Sequence, residues 1–173
     1  MAKVLVIRLS AIGDVAMTVP VIYSAAKANP EDSFTVLTQA FLMPLFMNRP
    51  PNVEVIGINT KGAEKGLIGL LKFISALLKF DFDVILDLHN VIRTIIICTF
   101  FRLNGKRVFV LDKARKERKR LTAIKGKRLY PLRPVIVRYA DVFRAAGLNY
   151  TETFTSLYEE FPAELSGMAS VAG

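Results

Sequence analysis

Lys3-Val4-Leu5-Val6-Ile7-Arg8-Leu9-Ser10-Ala11-Ile12-Gly13-Asp14 runs almost without a polar break from Val4 to Leu9 and then turns polar. An apolar run of strand length that does not alternate is what a strand buried on both faces shows. Such strands occur in parallel sheets covered by helices on either side. A helix-length segment follows, Val15 to Lys27, so the opening reads strand, turn, helix. In open α/β sheets the ligand crevice lies beyond the carboxyl ends of the strands, and Ser10 to Asp14 is therefore predicted to face a ligand. Ser10 offers a hydroxyl and Gly13 lets backbone approach closely. Asp14 falls at the start of the helix, where a negative charge suits the positive end of the dipole. A competing reading is that Ser10 or Asp14 merely caps that helix. Gly13 alone does not make a G-x-G-x-x-G fingerprint, and there is no G-x-x-x-x-G-K-[ST] phosphate loop, so a dinucleotide site is disfavoured. Pro20 removes a backbone bond within the predicted helix and should kink it.

The same grammar repeats along the chain. Phe34 to Leu37, Val53 to Ile58, Val84 to Leu88 and Val108 to Leu111 are further apolar runs. Between them lie helix-length segments at Phe41 to Met47, Leu67 to Lys79 and Ile92 to Leu103. The alternation predicts an α/β fold: a Rossmann-like, doubly wound parallel sheet with helices on both faces. Asn29-Pro30, Arg49-Pro50-Pro51 and Asn104-Gly105 punctuate it as turns. Val135, Tyr139, Val142 and Phe143 are spaced as one helical face, predicting a last helix from about Pro134 to Ala146, stopped by Gly147. Residues 1–150 thus read as one domain, and 151–173 as the start of an interdomain linker or a disordered tail.

At 173 residues, 52% hydrophobic and 23% charged, the chain can bury a sizeable core. Mean hydropathy is high, +0.36. Its two most apolar stretches, Leu67 to Leu78 and Val91 to Leu103, fall short of the roughly 20 residues a spanning helix needs, and both carry basic residues. The first residues lack the longer apolar region of a signal peptide, so a cytoplasmic location is expected. Cys98, the single cysteine, sits in an apolar run and reads as core. The net charge of +9 is concentrated between Lys113 and Arg128, where nine basic residues and one acid leave a local balance of +8. This run suits phosphates or an anionic membrane surface, or is simply solvated. It holds no aromatic residue for stacking bases, and no nucleic-acid partner is expected.

The fourth strand ends in Asp87-Leu88-His89-Asn90, with Arg93 after it. Parallel strands put these residues on the same sheet edge as Asp14, so His89 and Asn90 are candidates to line the crevice. With one His and one Cys in the chain, a protein-held metal is not expected.

Lys3 to Val15 with Thr18-Val19-Pro20 resembles the start of the ADP-heptose:lipopolysaccharide heptosyltransferases, glycosyltransferase family 9. Asp87-Leu88-His89-Asn90 with Arg93, Lys113 to Thr122, and Arg138-Tyr139 also look like that family's amino-terminal half. The likeness covers roughly residues 3–150 and is most specific over Ser10 to Pro20. It implies half of a GT-B fold, in which the amino-terminal domain holds a sugar acceptor and a second domain, beyond this chain, holds a nucleotide-sugar donor. Transfer would invert the anomeric carbon without a metal or other cofactor. Asp14 would be the general base, with Ser10 and Gly13 shaping the loop around it. Arg93 and the cluster of Arg115, Arg118 and Arg120 would bind acceptor phosphates or carboxylates. The family often has a second Ser or Thr where this chain has Ala11. The implied partners are an anionic glycolipid or saccharide acceptor, a nucleotide-sugar through the other domain, and peripherally the inner-membrane surface. A homodimer through the surface that domain would cover stays open. Two other readings compete: a stand-alone module binding anionic lipid or phosphosugar, and a flavodoxin-like nucleotide-binding domain.

Overall fold

Alternate side chains of a strand leave opposite faces, and in β1 (Lys3–Ile7) both sets are apolar. Val4 and Val6 enter one core, Leu5 and Ile7 the other, and all four are fully buried. Each such side chain contributes on the order of 1.5–3 kcal/mol of burial free energy. The computed structural model describes residues 1–62, 64–114 and 133–157. After β1 come α1 (Ile12–Ala16), α2 (Val19–Ala28), β2 (Ser33–Gln39), a 3-10 helix (Ala40–Phe46) and β3 (Val53–Ile58). These lead to α3 (Gly66–Leu78), β4 (Val84–Asp87), α4 (Ile92–Leu103), β5 (Arg107–Val110) and α5 (Val135–Ala145).

The five strands form one parallel sheet in the order β3-β2-β1-β4-β5. β1 is central, with Val6 beside Val36 of β2 and Leu86 of β4. α1, α2 and α5 cover one face, where Val15, Ile22, Tyr139 and Phe143 meet Val4, Phe34 and Leu86. α3 and α4 cover the other, where Leu70, Ile74, Ile97 and Phe101 meet Leu5, Leu37 and Ile85. The doubly wound Rossmann-like architecture is therefore present. A flavodoxin-like sheet would run 2-1-3-4-5, and the observed order excludes that topology. Among the described residues no helix is long and apolar enough to cross a membrane.

Two local expectations are corrected. The segment from Val15 to Lys27 is not one helix kinked at Pro20. It breaks at Met17-Thr18, where the Thr18 amide and hydroxyl both donate to the Val15 carbonyl, at 2.9 and 2.6 Å. Pro20 then lies in the first turn of α2, where an amide has no partner to lose. Phe41 to Met47 forms a 3-10 helix with Pro44 inside it. α5 ends as expected: Gly147, at φ +84°, donates to Arg144 O, and Leu148 N donates to Phe143 O, the paired closure of a Schellman cap.

Beyond that cap the chain doubles back across α2. Asn29 and Asn149 exchange hydrogen bonds, and the Thr153 and Phe154 amides both donate to the buried Ser24 hydroxyl at 3.1 Å. The Phe154 ring meets Tyr23 edge-on, and Asn48 Nδ2 donates to Leu157 O.

Candidate functional site

The strand order reverses direction about β1: the chain moves outward to β2 and β3 on one side, then returns to β4 on the other. The loops leaving β1 and β4 consequently part there and open a crevice, the place where open α/β sheets bind ligands. Arg8 lies at its floor. One residue past the end of β1, with its side chain only 7% exposed, its guanidinium must find partners. Nη1 donates to Leu88 O at 2.6 Å, Nη2 pairs with the Asp14 carboxylate, and the cation lies 5.9 Å over the centre of the Tyr139 ring. One side chain thus ties together β1, the loop after β4, α1 and α5.

Asp14 stands in the first turn of α1 with 42% of its side chain exposed. The capping alternative does not hold for either residue, because no side chain caps α1, whose N-cap is Ala11. The Ser10–Ala11 peptide is cis. Ser10 Oγ and His89 Nε2 stand 3.5 Å apart across the gap between the two loops. Gly13 is exposed, and a Cβ there would meet nothing within 4 Å, so no neighbour among the described residues requires a glycine.

The His89 position is built by Asp87, the fully buried end of β4. Its Oδ1 accepts from the amides of His89 and Asn90 at 2.9 and 2.8 Å, while Oδ2 accepts from Thr94 Oγ1 at 2.8 Å. Cys98 is buried against the same carboxylate, and desolvation, with the nearby charge, pushes its thiol up to about 12. Burial, and then the positive charges of Arg8 and Lys113, push the His89 imidazole down to about 4, against a smaller opposing effect of Asp14. His89 is therefore neutral near pH 7. Its Nδ1 and the Tyr139 hydroxyl are buried with no hydrogen-bond partner among the described residues. Desolvation first of all raises the Tyr139 phenol.

Arg8, Ser10, Asp14, His89, Lys113 and Tyr139 line one cavity of about 270 Å³, which Arg138 also borders. The structure brings together three of the residues singled out from sequence, Ser10, Asp14 and His89. It turns two away. Asn90, at φ +51°, sends its amide to Leu111 O at 3.1 Å and ties the end of β5. Arg93 donates to Glu64 O at 3.1 Å, on the side of α3. Arg115, Arg118 and Arg120 lie outside the described residues. Sequence reasoning missed Arg8, Arg138 and Tyr139 as site residues. The signal for Arg8 was a lone charge interrupting an apolar strand, whereas Tyr139 read as part of a helical apolar face and, with Arg138, as a likeness to the family with no site role attached.

Fold and crevice together define a Rossmann-like α/β domain with its polar residues gathered at the switch point. No family model and no curated protein matches the chain. Solved structures do. A glycosyl transferase family 9 protein from Veillonella parvula is 20% identical, with a TM-score of 0.65 over 98% of this chain and 48% of that one. Escherichia coli heptosyltransferase WaaC with ADP is 22% identical, with a TM-score of 0.59 over 89% of this chain and 49% of that one. Escherichia coli ADP-heptose lps heptosyltransferase II is 19% identical, with a TM-score of 0.58 over 98% and 50%. The chain spans about half the length of each, and at these identities the likeness is one of fold. The family that Ser10 to Pro20 resembles and the family of these structures are the same.

Proposed function

We propose that this chain is the acceptor-holding half of a glycosyltransferase that takes a sugar from a nucleotide-sugar, with Asp14 as general base. The observation that carries the reading is the placement of Asp14: a half-exposed carboxylate at the switch-point crevice, held in direction by Arg8. In the proposed step Asp14 takes the proton of an acceptor hydroxyl as that oxygen bonds to the anomeric carbon. The bond from that carbon to the nucleotide's phosphate breaks on the opposite face, so the configuration inverts; the proposed transfer uses no metal. Arg8 acts on the reaction by fixing the carboxylate. Neutral His89 and Ser10 offer hydrogen bonds to acceptor hydroxyls, and Lys113 and Arg138 supply positive charge for an acceptor carboxylate or phosphate. Gly13 leaves open space beside the base. Asn90 and Arg93 act on the site only through the loops they tie.

The donor would be bound by a further domain, and ADP-heptose or a related nucleotide-sugar is its proposed class. This rests on the solved WaaC structures, which contain ADP and ADP-2-deoxy-2-fluoro heptose. The proposed setting is the cytoplasm, with a lipopolysaccharide-type acceptor. The test is Asp14→Asn in a chain carrying both halves. Transfer should fall by roughly 10²–10⁴-fold, the usual contribution of a positioned base, with donor affinity by calorimetry unchanged. Turnover within a few-fold of wild type would remove Asp14 from the chemistry.

A further inference from the structure

Where the chain returns across α2 it leaves a groove of about 610 Å³, more than twice the volume of the crevice cavity. Tyr23 and Lys27 of α2 form one wall, the connection 48–51 a second and the returning segment 154–157 a third. Each wall is fixed by its own hydrogen bonds. Ser24 Oγ accepts from the Thr153 and Phe154 amides, Tyr23 Oη donates to Met47 O at 2.9 Å, and Asn52 Nδ2 donates to Ala26 O and Asp32 O at 3.0 and 2.9 Å. Asn48, at φ +48°, donates to Leu157 O and joins the connection to the returning segment. The groove is therefore preorganised, and a ligand need not order its walls. Lys27 lies in the last turn of α2 and Pro51 shortly before β3, so the groove reaches toward the amino edge of the sheet, opposite the crevice.

Lys27 and Arg49 line the groove from two different walls, and among the described residues no carboxylate lines it. Neither cation is in an ion pair among the described residues. Arg49 is aimed by its Nε, which donates to Val53 O at 3.0 Å, and its terminal nitrogens remain as a fork for an oxyanion. Burial pushes the Tyr23 phenol up to about 12 against a smaller opposing effect of Arg49, so the guanidinium charge is felt at the ring that forms the α2 wall. A cleft lined by charges of one sign, with low-dielectric walls, focuses their field and draws a counter-ion. Two cations on separate walls match a dianion. A phosphate monoester carries about −1.5 to −2 charges at pH 7 and three strong acceptor oxygens. The Phe154 ring, Pro50 and Pro51 supply apolar surface in the same groove, which a bare phosphate would not use and the organic group of an ester would.

We infer that the groove between α2, residues 48–51 and the returning segment is a second binding site, which takes a phosphate monoester. Lys27 and Arg49 hold the phosphate, and the organic group packs on Phe154 and Pro51. The site is separate from Asp14 and makes no use of the basic run that begins at Lys113. Opening of the returning segment would dismantle one wall, so the bound ester holds that segment against α2.

The experiment is isothermal calorimetry of the full chain with inorganic phosphate, AMP, glucose 1-phosphate and, as a neutral control, glucose. The variants are K27Q and K27Q/R49Q; both positions are exposed, and circular dichroism confirms folding. The wild type should bind the two esters saturably and more tightly than inorganic phosphate, with glucose silent. K27Q should weaken ester binding several-fold and the double variant by at least about tenfold, the loss expected of charge-assisted hydrogen bonds. An ester at about ten times its dissociation constant should slow amide exchange at Thr153 and Phe154 roughly tenfold in the wild type and not in the double variant. The ester that binds more tightly names the source, nucleoside or sugar. Absence of saturable ester binding up to about 10 mM overturns the proposal. Ester binding that the double variant retains also overturns it and moves the contact to another basic surface, and exchange at Thr153 and Phe154 that the ester leaves unchanged overturns the placement. Inorganic phosphate bound as tightly as both esters overturns the role of the apolar wall. None of these readouts involves sugar transfer or Asp14, so this inference and the proposed function can fail separately.

Discussion

Arg8 is a charge placed where an apolar strand ends, and its neighbours follow from that. A desolvated guanidinium needs acceptors, and it draws Leu88 O from one loop and the Asp14 carboxylate from another. The same cation, added to burial, keeps His89 neutral. That has a consequence for stability. With the folded imidazole near 4 and its ordinary value at 6.5, the unfolded chain takes up a proton that the folded chain resists. This contribution is complete above about pH 6.5 and is lost as the pH falls through that window toward about 4. The melting temperature of the wild type should therefore fall between about pH 7 and pH 4.5 by more than that of His89→Gln. Identical pH slopes in calorimetric scans would show that the ring is not held in a desolvated site. Ser10, Asp14 and His89 were legible as site residues because they end parallel strands or begin the next helix. Asn90 and Arg93 were not distinguishable from them, since adjacency in sequence does not fix side-chain direction. A left-handed φ at Asn90 turns its amide to Leu111, and the helical position of Arg93 directs it to Glu64.

The elements follow from local chemistry more closely than the side-chain directions do. Each of the five apolar runs became a strand, within one or two residues of its expected ends. The helix stop at Gly147 was legible because a left-handed residue closes a Schellman cap. Pro20 was misjudged because the break that precedes it depends on Thr18, whose hydroxyl and amide both turn back to Val15 O. A proline in a helix interior costs about 3 kcal/mol relative to alanine, whereas one in the first turn costs little. Pro20→Ala should therefore change the free energy of unfolding by less than about 1 kcal/mol. A gain near 3 kcal/mol in urea titration would mean that the proline does strain a continuous helix.

At the scale of the whole molecule, the chain after α5 crosses back over α2 and fastens to a single buried hydroxyl. Ser24 Oγ accepts from the Thr153 and Phe154 amides, so Ser24→Ala leaves both without an acceptor. Local stability there should drop by about 1–2 kcal/mol, which speeds amide exchange at those two residues by roughly 5- to 30-fold. Unchanged exchange at both would show that the crossing is held by Asn29, Tyr23 and Asn48 alone. The apolar runs, their lengths and their strand–helix alternation are local properties, and from them the sequence by itself determined an α/β parallel sheet with a polar crevice edge. Strand order is not local. Both flavodoxin-like and Rossmann-like windings satisfy the same run pattern, and only the pairing of β1 with both β2 and β4 chose between them. That pairing sets the loop after β1 against the loop after β4, and so brings His89 to Ser10. The packing of α5 on the same face carries Tyr139 beneath Arg8. Asp14 was readable as a crevice candidate from its place after a strand, and as a base only through the family resemblance; the charge that holds it and the cavity it faces exist only once distant segments pack, because their contacts depend on sheet register rather than on distance along the chain.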